Sequence, residues 1–154
     1  MNAVAADIVV IGIGNDYRRD DGVGPAVASA INARKLPGVR VVIGIEDPIV
    51  LLDAWSGVAL AVVIDAAVAS PAMPGRIRRI ASCTASQTDS MSTHGLDVTQ
   101  TLALGQALGR EPHRLVLFTV EAADISHGVG LTPPVADAVP AVVSAAIAEI
   151  VSAS

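Results

Sequence analysis

A chain of 154 residues is one domain's worth of sequence, too short for separate catalytic and binding domains. Hydrophobic residues make up 52%, charged residues 16% and aromatic residues 2%, so the core is aliphatic. Ten basic residues stand against fifteen acidic ones, and Trp55, Tyr17 and Phe118 are the only aromatics, which argues against nucleic-acid binding by either phosphate contacts or base stacking.

A mean hydropathy of +0.58 raises the question of a membrane span. No run of about 20 apolar residues occurs, because Asp7, Asp65 and the series Pro140, Ser144, Glu149 cut the most apolar stretches. Met1 to Val10 carries Asp7 where a secretory signal needs an apolar core, and has no basic leader, so the expected location is the cytoplasm. The single cysteine, Cys83, permits no internal disulfide and no cysteine-cluster metal site, and reads as an incidental loop residue.

In chain order, Asp7–Ile13 is a continuous apolar run ending in glycine-rich sequence, the pattern of a strand buried on both faces. Gly22–Lys35 reads as a helix with Pro25 in its first turn and Lys35 in its last. Val39–Ile45 is the second strand, and Asp47-Pro48 caps and opens a short helix to Trp55. Val58–Ile64 is the third strand, delivering Asp65 at its end. Arg76–Ile80, short and rich in arginine, suits a sheet edge, and Ser82–Thr93 is polar loop. Gly95–Gly109 has helical spacing, His113–Val120 is the last strand, and a glycine-rich loop follows through Gly130. Pro133–Ser152 is an alanine-rich helix capped by Thr132, which Pro140 should bend or split. Alternating buried strands and helices predict a three-layer α/β/α sandwich with a mostly parallel sheet, as a single domain over 1–154.

Ligands of such sheets bind at the carboxyl ends of the strands, and three of those ends are polar: the loop from Gly12 to Gly24, Asp65, and His94. The loop is no dinucleotide fingerprint, because Tyr17 stands where the third glycine belongs and the acidic pair Asp20-Asp21 would repel a pyrophosphate. It also lacks the Gly-Lys-Ser/Thr ending of a phosphate-binding P-loop. One of Asp20 and Asp21 can cap the following helix while the other faces a site. Asp65 either caps the next segment or points into the cleft, and a lone His94 is equally a hydrogen-bonded loop residue. Taken together, Asp21, Asp65 and His94 offer an O,O,N donor set that suits nickel or zinc with positions left open. His113, His127 and Glu46 read as peripheral, and Asp124 is a candidate for peptide contact.

The run VIGIGNDYRRDDGVG resembles the N-terminal signature of the hydrogenase maturation endopeptidases, of the form G-x-G-N, a short spacer, then D-D/E-G-x-G. VVIDA with Asp65, STHGLDV with His94 and the late GVGLTPPV follow in the family's order, so the resemblance spans most of the chain. It implies an endopeptidase, of the aspartyl type in name, that removes the C-terminal peptide of a nickel-iron hydrogenase large-subunit precursor after nickel insertion. The family's metal-contacting residues fall on Asp21, Asp65 and His94, which the resemblance makes the catalytic and nickel-contacting set. The nickel comes with the substrate, and the resting enzyme is expected metal-free and monomeric. The implied fold is phosphorylase/hydrolase-like, with a five-stranded sheet carrying one antiparallel strand, for which the arginine-rich segment is the candidate. Thr132 stands where the family often has serine, and the Asp16–Arg19 spacer is unusually charged. A non-catalytic metal-checking or peptide-binding chaperone, and a small-molecule hydrolase on the same fold, are the other two readings.

Overall fold

The computed structural model describes residues 7–81, 91–92 and 97–153. Six strands form one sheet: β1 (Ile8–Ile13), β2 (Val39–Ile45), β3 (Leu60–Val68), β4 (Ile77–Ala81), β5 (Met91–Ser92) and β6 (Arg114–Glu121). The order is β2-β1-β3-β6-β4, with β5 joined to the far end of β3. The β1, β2, β3 and β6 pairings are parallel, while β4 runs antiparallel to β6, so the arginine-rich segment is the antiparallel edge strand. The expected five-stranded α/β/α sandwich is present. The addition is β5, which falls in the segment expected as loop and pairs Ser92 with Ala67 and Met91 with Val68. Two residues of polar sequence carry no strand period, so nothing in Ser82–Thr93 announced it.

Helices α1 (Val23–Ala33) and α4 (Pro133–Ala153) cover one face, and α2 (Pro48–Trp55) and α3 (Val98–Leu108) the other. Strand alternation divides the core between them. Ile8 and Val10 of β1, Val62 and Ile64 of β3, and Phe118 of β6 pack toward α1 and α4. Val9 and Ile11, Val63, and Leu115 and Leu117 pack toward α2 and α3. Continuous apolar runs are what a strand covered on both faces requires, which is why these three strands are readable in the sequence.

Helix starts differ from the sequence expectation by a few residues, each for a local reason. A 3-10 turn, Arg19–Gly22, precedes α1, so the helix opens at Val23 with Gly22 at its cap, and Pro25 stays in the first turn. Lys35 lies beyond the helix at φ 50° instead of in its last turn. Helix α3 begins at Val98 because the Asp97 carboxylate accepts from the Thr99 and Gln100 amides at 2.9 and 3.2 Å. Gly109, left-handed at φ 69°, ends it as expected.

Helix α4 is not split at Pro140. The proline removes the amide that would bond the Ala136 carbonyl, but Pro140 and Ala136 both face solvent, where water can satisfy that oxygen. Val135, Ala138, Val142, Ala146 and Ile150 form a buried stripe that holds the helix to the sheet. Among the described residues α4 is one helix long and apolar enough, by length and composition, to cross a membrane. Its average hydropathy passes despite the interruptions at Pro140, Ser144 and Glu149.

Candidate active site

The glycines of the first loop are required by close backbone approach. A Cβ on Gly24 would lie 2.2 Å from the Ile13 carbonyl oxygen and 2.7 Å from that of Ile64, and one on Gly14, at φ 130°, would lie 2.0 Å from the Asp21 carbonyl oxygen. The first turn of α1 therefore sits directly on the carboxyl ends of β1 and β3, and the 3-10 turn folds back onto the end of β1. Asn15 fixes the intervening reversal: its side-chain oxygen accepts from the Tyr17 amide at 2.9 Å.

Neither acid of the Asp20-Asp21 pair caps α1, against the capping expectation for one of them. Asp20 is fully buried and accepts from the amides of Ala123 (2.8 Å), Asp124 (3.0 Å) and Thr132 (2.7 Å), with the Thr132 hydroxyl at 2.8 and 3.0 Å from its two oxygens. It is the anchor of the glycine-rich loop. This also corrects the reading of Thr132: its carbonyl accepts the first bond of α4, from Ala136 at 2.8 Å, but its hydroxyl is turned onto Asp20 and does not cap the helix. Asp21 is also fully buried, and its carboxylate accepts from the Asn15 amide at 3.0 Å, which aims it toward the strand ends.

Asp65 is 3% exposed and lies inside β3, which runs on to Val68 instead of ending at Ile64. The end that matters is that of β1: its pairing with β3 stops at Gly12–Ile64, so Asp65 is the first β3 residue beyond it. Parity turns its side chain to the α2/α3 face, the face of Ala61 and Val63. Asp21 and Asp65 thus come to the same edge of the sheet. His94, the third member of that set, lies outside the described residues, as does Cys83. Among the described residues no group of three or more His, Cys, Asp or Glu is placed to hold a metal ion. The described part of the site supplies two carboxylate donors, and a complete coordination shell needs further ligands.

Two buried residues of β6 escaped the sequence reading. Thr119 is paired in register with Asp65 and faces the same side; it is 7% exposed and its hydroxyl has no hydrogen-bond partner among the described residues. Threonine is an ordinary strand former, so only the structure singles it out. Glu121, one residue past the expected strand end, is 1% exposed; it accepts from the Met73 amide at 2.9 Å and lies 3.8 and 3.9 Å from the guanidiniums of Arg76 and Arg78. That is a structural clamp on the turn leading into β4.

The residues expected to be peripheral are so. Glu46, His113 and His127 are exposed. Asp124 pairs with Arg19 at 3.6 Å, and the Ser126 hydroxyl and amide hold its carboxyl below the usual range. The charged spacer has a surface of its own: Asp16, Tyr17 and Arg19 line a cavity of about 370 Å³ with Ala26, Val129 and Leu131.

The α/β/α sandwich is the fold of solved hydrogenase maturating endopeptidases. The hydrogenase maturating endopeptidase HybD from Escherichia coli superimposes with a TM-score of 0.79 over 93% of this chain and 91% of that one, at 22% identity. The NiFe hydrogenase maturation protease HybD from Thermococcus kodakarensis superimposes with a TM-score of 0.72 over 94% and 97%, at 25% identity. HycI from the same organism gives 0.68 over 94% and 92%, at 22% identity. No curated protein sequence matches the chain. The family model of HycI, hydrogenase maturation protease, matches residues 26–149, and the chain belongs to that family. It is accordingly a peptidase of hydrogenase maturation. The matched span contains Asp65 and His94 and begins after the Asp20-Asp21 motif.

Proposed function

We propose that this enzyme removes the C-terminal peptide from a nickel-iron hydrogenase large-subunit precursor once nickel has been inserted, and that Asp21, Asp65 and His94 form its site. The observation that carries the reading is the convergence of two buried carboxylates, Asp21 and Asp65, on one sheet edge in a chain of this family.

In this reading nickel is part of the substrate, held there by cysteine thiolates, and the enzyme brings no resident metal. Two carboxylates and an imidazole contact the ion, so the precursor docks productively only when loaded. A carboxylate at the same edge accepts a proton from the attacking water as the scissile carbonyl carbon is attacked, and the departing amine takes a proton as the carbon–nitrogen bond breaks. The cavity beside Asp16–Arg19 reaches Gly22, the residue after Asp21, and in this reading its charged rim selects among precursors. The site is read as cytoplasmic and the enzyme as a monomer.

The test is incubation with nickel-loaded and nickel-free precursor, followed by intact-mass measurement. Cleavage of the loaded form alone is expected, and Asp21→Ala and His94→Ala should abolish it with an unchanged circular dichroism spectrum. Binding without any mass change would establish a chaperone instead.

A further inference from the structure

We infer that Thr119 is a positioning residue of this site, whose hydroxyl holds the attacking water against the Asp65 carboxylate. The inference rests on the reading of the site given above and assigns within it the place of the water.

Three observations carry it. Thr119 and Asp65 are direct register partners on adjacent parallel strands, both turned to the α2/α3 face. Strand separation puts their backbones about 4.8 Å apart. Both side chains are more than nine-tenths buried, yet the Thr119 hydroxyl has no hydrogen-bond partner among the described residues and so does not bond the Asp65 carboxylate. Two oxygens at that spacing, facing the same way and not touching, leave the gap that one water spans with two hydrogen bonds of about 2.8 Å.

The choice of residue points the same way. The flanking residues of β6 are Phe118 and Val120, both in the apolar core. Valine at 119 would fill the same volume, favour the strand as well, and remove a buried hydroxyl that gains nothing from the fold. A buried hydroxyl that bonds no protein group and stands beside Asp65 is placed to bond a water at this edge. The neighbouring acid, Glu121, does not compete for the role, because the Met73 amide and the Arg76 and Arg78 guanidiniums already surround its carboxylate.

Chemically, the Thr119 hydroxyl and the Asp65 carboxylate fix the water's orientation. Its oxygen adds to the scissile carbonyl carbon, the carbon–nitrogen bond breaks, and the proton the water gives up ends on the departing amine. Thr119 neither gains nor loses a proton overall.

The experiment compares wild type, Thr119→Val and Thr119→Ser on nickel-loaded precursor, with melting temperatures measured alongside. The valine variant should lose about ten-fold or more in kcat with KM within about two-fold, while melting at or above the wild-type temperature. Serine, which restores the hydroxyl, should recover most of the rate. Wild-type kcat in the valine variant would overturn the inference and leave the proposed function standing. A lower melting temperature with a proportionate loss of activity, unrescued by serine, would also overturn it, by showing a structural role. A wild-type enzyme that fails to cleave the loaded precursor would remove the proposed function, and the inference with it.

Discussion

Asp20 and Asp21 are adjacent acids, equally buried, and the structure predicts opposite consequences for removing them. Asp20→Ala deletes the acceptor of three backbone amides and the Thr132 hydroxyl. A hydrogen bond to a charged acceptor contributes about 1.5–3 kcal/mol net, and each buried donor left unmet costs about 1–3 kcal/mol. The loop from Ala123 to Thr132 is partly exposed, so water re-satisfies some donors, and the desolvation of the wild-type carboxylate offsets part of its gain. The expected loss is about 3–5 kcal/mol, or about 10–15 °C in Tm for a chain of this size. Asp21→Asn keeps an acceptor for the Asn15 amide and should cost less than about 1 kcal/mol, but it should abolish cleavage of nickel-loaded precursor. Trp55, fully buried and the only tryptophan, reports urea unfolding in both variants. A destabilisation of Asp20→Ala below about 1 kcal/mol, or normal cleavage by Asp21→Asn, would refute the division of labour between them.

Two further outcomes can be checked on purified protein. Gly24→Ala places a methyl group 2.2 Å from the Ile13 carbonyl oxygen and 2.7 Å from that of Ile64, both unyielding backbone atoms; it should cost about 3 kcal/mol or more and lower activity, since α1 must lift from the sheet edge that carries the site. Glu149 on α4 forms a two-point pair with Arg79 on β4, at 2.7 and 3.1 Å, and Arg79 holds its carboxyl below the ordinary value of 4.5. A lowered carboxyl stabilises the fold above that ordinary value, and the contribution is lost as pH falls through the lowered one. With Arg79 about half exposed, Glu149→Gln should cost only about 0.5–1 kcal/mol at pH 7, and the difference between variant and wild type should vanish in acid. A difference that persists unchanged at about pH 3 would contradict the assignment.

What could be read from the sequence follows from how far apart the cooperating residues are. Strands β1, β3 and β6 were legible because a strand covered on both faces writes a nearly continuous apolar run, the half-exposed edge strand β2 was legible from its β-branched residues alone, and Asp65 was legible because it breaks an apolar run. The partners of Asp20 were not: Ala123, Asp124 and Thr132 lie 103, 104 and 112 residues away, and nothing local marks their amides as needing an acceptor. Thr132 was misassigned for the same reason, since its place before a proline-opened helix argues for a cap and its true bond is to a distant acid. Thr119 was invisible because a hydroxyl on a strand differs from valine only in what it fails to bond. The extension of β3 past Asp65 was hidden by Ala66 and Ala67, whose weak strand preference gives no hint of the β5 and β6 pairings that extend it.

The sequence did carry the pairing of two acids, and the 3-10 turn explains why two are needed. In that helix three residues complete a turn, so consecutive side chains diverge by about 120°. A turn at the end of β1 that sends one residue inward to the sheet edge must send its neighbour sideways into the glycine-rich loop. Asp20 takes the sideways position and secures that loop; Asp21 takes the inward one beside Gly14 and Asn15. The two roles are therefore set by direction and not by chemistry. Because a carboxylate in either place is fully buried, each needs its own donors, which Thr132 and the loop amides supply to one and the Asn15 amide to the other. An acid that anchors the loop relieves the next one of that task, which the role proposed for Asp21 requires.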